Sequence, residues 1–175
     1  AGLFLEERSN DASGSVVCAC LEGNRPILVE VQALVAKTPY GMPRRTAVGF
    51  DYNRVTMLLA ILERRLGMDF GAYDAYVNVV GGMRVTEPAA DLAVAAALVS
   101  SYRNRPIPHG VLVMGEVGLT GEVRRIGSPE RRIKDAMNLG FKRFVLPMGK
   151  LSLDEPCNGV VQVKTLEEAL DKVFA

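Results

Sequence analysis

The chain has no tryptophan, one histidine and three cysteines among its 175 residues. Each shortage removes a class of chemistry. A Ser-His-Asp triad has a single candidate base, His109 in RPIPHG, with no recognisable nucleophile motif beside it. Clustered His, Cys and carboxylate ligands are missing, which argues against a metal enzyme. Three cysteines, two of them in a C-x-C, do not read as a secreted disulfide framework. On a strand Cys18 and Cys20 share one face, but their only further metal-ligating partners are Cys157 and His109 at long range. Both therefore read as small core side chains. No apolar run approaches the roughly 20 residues that span a bilayer, so no membrane partner is expected. No G-x-x-x-x-G-K-[ST] phosphate loop occurs, and Gly81-Gly82 lacks the spacing of a dinucleotide fingerprint. The opening AGLFLEERSNDASG is polar and acidic, unlike a signal peptide. Its start without Met suggests a piece of a longer chain, and the expected location is cytoplasmic.

Charge is present but balanced. Lys and Arg total 21 and Asp and Glu 20, so overall charge points to neither nucleic acid nor membrane. Its distribution says more. Acids outnumber bases from Ala1 to Val35, and bases dominate from Arg103 to Lys150.

The length suits one domain with an arm: 1–14 as linker, 15–175 as the folded unit. Ser15–Glu22 and Pro26–Val35 read as a hairpin turning at Gly23-Asn24-Arg25. Ala36–Arg44, with KTPYGMPRR, reads as a loop, and Arg45–Phe50 as a short strand. Asp51–Leu66 carries apolar residues at 3–4 spacing, with Asp51 as N-cap and Gly67 as its stop. Ala75–Val80 is a buried strand. Thr86–Ser101 is a helix apolar almost all round, which places it inside the fold. Val111–Met114 is a strand, and Glu116–Ile126 a hairpin through GLTG. Ser128 caps a helix to Asn138, with Pro129 in its first turn. Phe144–Pro147 and Val160–Val163 are strands, and Thr165 with Glu168 forms a capping box for the last helix. Strands and helices alternate with hairpins, so the fold class is α/β in the mixed, α+β sense.

VNVVGGMRVTEPAADLAVAAALVSS, GEVGLTGEVRRIG and GFKRFVLP, in that order, resemble the proteolytic domain of Lon proteases. GNRPILVEVQALV, PRRTAVGFDYNR and GGMRVTEPAADLA are closer to the C-terminal Lon-like domain of the bacterial RadA (Sms) repair family, and LFLEERSNDASGSVV looks like the join after that family's ATPase motor. The resemblance implies a Lon-type fold related to ribosomal-protein-like two-layer α/β sandwiches. It implies a ring, a hexamer by family likeness. For the longer proteins it implies ATP, Mg and Zn, a branch-migration motor acting in DNA recombination, and a RecA-type recombinase as partner. None of these cofactors is expected in this chain.

Active Lon enzymes place a serine in G-P-S-A-G at the opening of the apolar helix and a lysine at the opening of the later one. The amine must be held neutral by burial to accept the hydroxyl proton. By motif, the serine position falls on Ala89 and the lysine position on Glu130. Arg131 and Arg132 cannot serve as neutral bases. Lys134 lies one turn further along, Ser128 is better explained as a cap, and Ser100 and Ser101 come at the far end of the helix. The expectation is a vacant catalytic pair and no peptidase. The remaining functional signal is basic: Arg44, Arg45, Arg54, Arg124, Arg131 and Lys134 are the candidate DNA contacts. No aromatic interleaves with these arginines, which favours phosphate contact, to single or double strands without sequence preference, over base stacking. The alternatives are a Ser-Lys peptidase and a purely structural oligomerisation cap.

Overall fold

The computed structural model describes residues 12–155 and 157–175. The expected arm lies mostly outside them, Phe4 and Leu5 included. Its last residues are part of the domain. Gly14 is buried, its N–H donates to Ser100 Oγ at 2.8 Å, and its carbonyl accepts from Ala33 N at 2.7 Å. A Cβ at Gly14 would stand 2.2 Å from the Ala33 oxygen, at φ +89, so glycine is needed there.

Among the described residues nine strands and four α-helices follow: β1 (Ser15–Glu22), β2 (Arg25–Lys37), β3 (Arg45–Val48), α1 (Tyr52–Leu66), β4 (Tyr73–Val79), α2 (Asp91–Arg103), β5 (Val111–Val113), β6 (Glu116–Val117), β7 (Val123–Arg124), α3 (Pro129–Asn138), β8 (Arg143–Pro147), β9 (Val160–Val163) and α4 (Leu166–Phe174). Seven strands form one sheet in the order β3-β4-β2-β1-β5-β8-β9, and β6 and β7 form a small hairpin. β1–β2 and β2–β4 pair antiparallel; β3–β4, β1–β5, β5–β8 and β8–β9 pair parallel. The sheet is mixed and mostly parallel, in line with the α/β expectation.

β1 is buried from Ser15 to Cys20, so both its faces are covered; α2 and α3 each contact it. α2 is buried at every position from Asp91 to Ser100. Local capping explains α1 and α4. Asp51 accepts from Asn53 N at 2.8 Å, and Gly67 closes α1 in the left-handed region at φ 70. Thr165 Oγ1 accepts from Glu168 N at 3.1 Å, and Glu168 reaches back to Lys164 N rather than to the cap itself.

Three local expectations change. The second strand runs on to Lys37. The apolar helix does not open at Thr86: Pro88–Ala90 make a 3-10 turn, and the α-helix starts at Asp91. Ser128 precedes α3 but makes no capping bond; it sits in the left-handed region at φ 53, which redirects the chain from the β6–β7 hairpin into the helix.

Candidate functional site

The openings of α2 and α3 do converge, as the sequence suggests, and a different pair of side chains joins them. Arg132, 1% exposed, donates from Nη1 to Glu87 Oε1 at 2.6 Å and from Nη2 to Glu87 Oε2 at 3.0 Å. Its Nη1 also reaches the Ala19 carbonyl at 2.8 Å, and its Nε the Gly127 carbonyl at 2.9 Å. Glu87 Oε1 in turn accepts from Leu21 N at 2.8 Å. The pair thus ties the turn before α2, the strand β1 and the first turn of α3 together. Glu130, to which motif position carried the amine, points away and accepts from Ser152 N at 3.2 Å. The side chain turned to the opening of α2 lies two residues later than the motif put it.

Ala89 is buried at 5% exposure and offers no hydroxyl. A thiol lies close by: the Cys18 Sγ is 3.9 Å from the Ala89 carbonyl and 3.9 Å from the Cys20 Sγ. Its hydrogen bond with Cys20, and then burial, push the Cys18 thiol well above its ordinary value. It stays protonated at neutral pH and is no nucleophile. Ser100 Oγ accepts from Gly14 N, and Ser101 Oγ accepts from Val35 N at 2.8 Å, so both serines hold the chain start and β2 against α2. His109 is exposed in its loop.

A second ion pair stands at the same helix. Asp91, with no exposed surface, receives Arg54 Nε on Oδ1 at 2.7 Å and Arg54 Nη2 on Oδ2, which also accepts from Val117 N at 3.1 Å. Burial pushes the Asp91 carboxyl up, against the bonds from Arg54 and Val117 that pull it down. The bond to Asp91 holds the Arg54 guanidinium above its ordinary value.

These contacts sort the candidate DNA residues. Arg54 is committed to Asp91. Arg45 is committed to backbone: its guanidinium donates to the Tyr73 carbonyl and to the Phe70 carbonyl, the latter at 3.0 Å. Arg124 lies 3.8 Å from both Glu116 and Glu122, in exposed pairs that solvent screens and that add little. Arg131 donates to the Asn24 carbonyl at 2.7 Å from an exposed position. Arg44 and Lys134 are exposed, and neither side chain makes a hydrogen bond or ion pair among the described residues. Arg44 and Lys134 are therefore the candidates open to a ligand; Arg45 and Arg54, which the family resemblance favours as contacts, spend their guanidinium groups within the chain.

Asp74 is a site residue that sequence reasoning missed. Its Oδ1 accepts from Thr38 Oγ1 at 2.9 Å and from Arg44 N at 2.7 Å, one from each end of the loop between β2 and β3. The Arg44 N–H, then the Thr38 hydroxyl, hold the Asp74 carboxyl below the usual aspartate range.

A family model described as subunit ChlI of Mg-chelatase matches residues 31–150. The chain is 48% identical over 173 residues to DNA repair protein RadA of Halalkalibacterium halodurans, covering 97% of this chain and 37% of that protein. It is 49% identical over 175 residues to DNA repair protein RadA of Pseudomonas aeruginosa, covering 99% and 39%, and 48% identical over 170 residues to that of Bacillus subtilis, covering 96% and 37%. The chain spans less than two fifths of the length of these curated relatives. It is thus homologous to a segment of DNA repair protein RadA, and it belongs to the family described as subunit ChlI of Mg-chelatase.

Proposed function

We propose that this chain is the Lon-like domain of a RadA-type DNA-repair ATPase, without peptidase activity, and that it serves ring assembly and sequence-independent DNA binding. One observation carries the reading. A chain about half identical to a DNA-repair protein fills the cleft between its helix starts with Glu87 and Arg132, and leaves Arg44 in solvent. A guanidinium locked to a carboxylate cannot take a proton from a nucleophile, and Ala89 supplies none. The ATP, Mg and Zn of the family belong to other parts of the longer proteins. Among the described residues no three His, Cys, Asp or Glu side chains converge as a metal site. A RecA-type recombinase would meet the longer protein, and the setting of such a machine is the cytoplasm.

Self-assembly draws on a different surface. Leu34 on β2, Tyr76 on β4 and Val48 on β3 lie on adjacent strands and are 57%, 36% and 56% exposed. Buried against a second copy, this open sheet face would remove apolar surface from water at about 25 cal/mol per Å². It is also the observation that favours the cap reading, in which the chain assembles and touches no DNA.

Titrating labelled DNA with the chain at several salt concentrations separates the two. Binding that weakens linearly in log salt, and weakens further in Arg44→Ala, is the expected result. Absence of binding at low salt would leave only the cap. Reproducible cleavage of an unfolded protein would instead restore the peptidase.

A further inference from the structure

Resting on the DNA reading above, we propose that the loop from Thr38 to Arg44 is a grip for single-stranded nucleic acid. Tyr40 stacks on an unpaired base and Arg44 meets a neighbouring phosphate. The loop reads as a connection in the sequence, but its structure is that of a braced projection. Asp74 receives a bond from each of its ends. Thr38 N donates to the Ala72 carbonyl at 2.8 Å, and Ala75 N to the Arg44 carbonyl at 2.9 Å. Arg45 lies at the base and spends its guanidinium on the Phe70 and Tyr73 carbonyls. Gly41 turns the tip at φ 70 with no neighbouring atom near its missing Cβ.

What this brace holds out is apolar and unpartnered. Tyr40 is 91% exposed and Met42 87%, the two most exposed large hydrophobic side chains among the described residues. An aromatic held in water on a loop braced at both ends gains by stacking, and the bracing lowers the ordering cost of binding. The surrounding charge selects the partner. From Val31 to Phe50 the chain carries Lys37, Arg44 and Arg45 and no acid. A purely apolar contact with a second copy has no need of that bias; a polyanion with exposed π-faces uses both features. Bases in a duplex are already stacked on each other, so Tyr40 can reach them only in a single strand. Tyr40 lies four residues from Arg44, and Asp74 folds the segment between them into one loop.

The test compares the wild-type chain, Tyr40→Ala and Tyr40→Phe for binding to a fluorescein-labelled oligothymidylate and to a duplex, with sedimentation run on each. The expected result is single-strand binding weakened roughly five- to a hundredfold by Tyr40→Ala, retained in Tyr40→Phe, with duplex binding and oligomeric state unchanged. Three results overturn the proposal: unchanged single-strand affinity, an equal loss on duplex, or a loss that follows dissociation of the assembly, which would make Tyr40 a contact between copies. If the wild type binds neither form of DNA, the DNA reading falls and takes this one with it. If it binds and Tyr40→Ala is silent, only the stacking role falls.

Discussion

Arg132→Ala is expected to destabilise the fold by about 3–5 kcal/mol, because it leaves Glu87 half-buried without its charge partner and strips the Ala19 and Gly127 carbonyls of their donor. Against a total of roughly 5–15 kcal/mol for a domain, that is a large fraction. Arg132→Lys restores the charge but not the bonds, since an ammonium has no planar fork to reach both Glu87 oxygens and two carbonyls at once. It should recover part of the loss. Guanidinium unfolding midpoints for the two variants check this. A shift of Arg132→Ala within about 0.5 kcal/mol of wild type, the range of an ordinary surface change, would mean the pair does not hold the two helix openings together.

The second large effect is at Asp91. Asp91→Ala removes a carboxylate with no exposed surface and leaves Arg54 and the Val117 N–H without their acceptor, at an expected cost of about 3–5 kcal/mol. The raised Asp91 pKa says that burying this charge is itself costly. The pair is therefore not expected to outdo an apolar replacement of the same shape. Breaking one half is what hurts. Arg54→Ala should be severe as well, and the double variant should lose less than the sum of the singles, by roughly 0.5–3 kcal/mol of coupling. Additive losses in urea titrations of the three variants would mean that Arg54 and Asp91 act independently.

These two pairs mark where the sequence was legible and where it was not. α1 and α4 could be placed because Asp51, Gly67 and Thr165 signal their ends within a few residues. α2 could be placed inside the fold because nothing polar interrupts its apolar surface between Asp91 and Ser100. The absence of a hydroxyl at Ala89 needed no structure. Glu130 was the wrong side chain for the cleft because the approach to α3 is not regular: Ser128 takes a left-handed conformation, and that turns Arg132 inward. Arg54 looked like a surface cation because its acceptor lies 37 residues away. Arg45 looked free because backbone carbonyls, which hold it, leave no mark in a sequence. Tyr40 was passed over for a related reason. Asp74, thirty residues beyond Arg44, and the backbone bonds to Ala72 and Ala75 close the loop that displays it.

The proposed function lies in the loop between β2 and β3 rather than in the cleft between α2 and α3. The most direct measurement is a nitrogen-15 NMR titration of the chain with a single-stranded oligonucleotide. The expected result is that amide shifts concentrate between Lys37 and Arg45 and around Asp74, while Glu87, Ala89 and Arg132 stay still. Shifts centred on the opening of α2, with the loop silent, would contradict it and return the cleft to the centre of this protein's function.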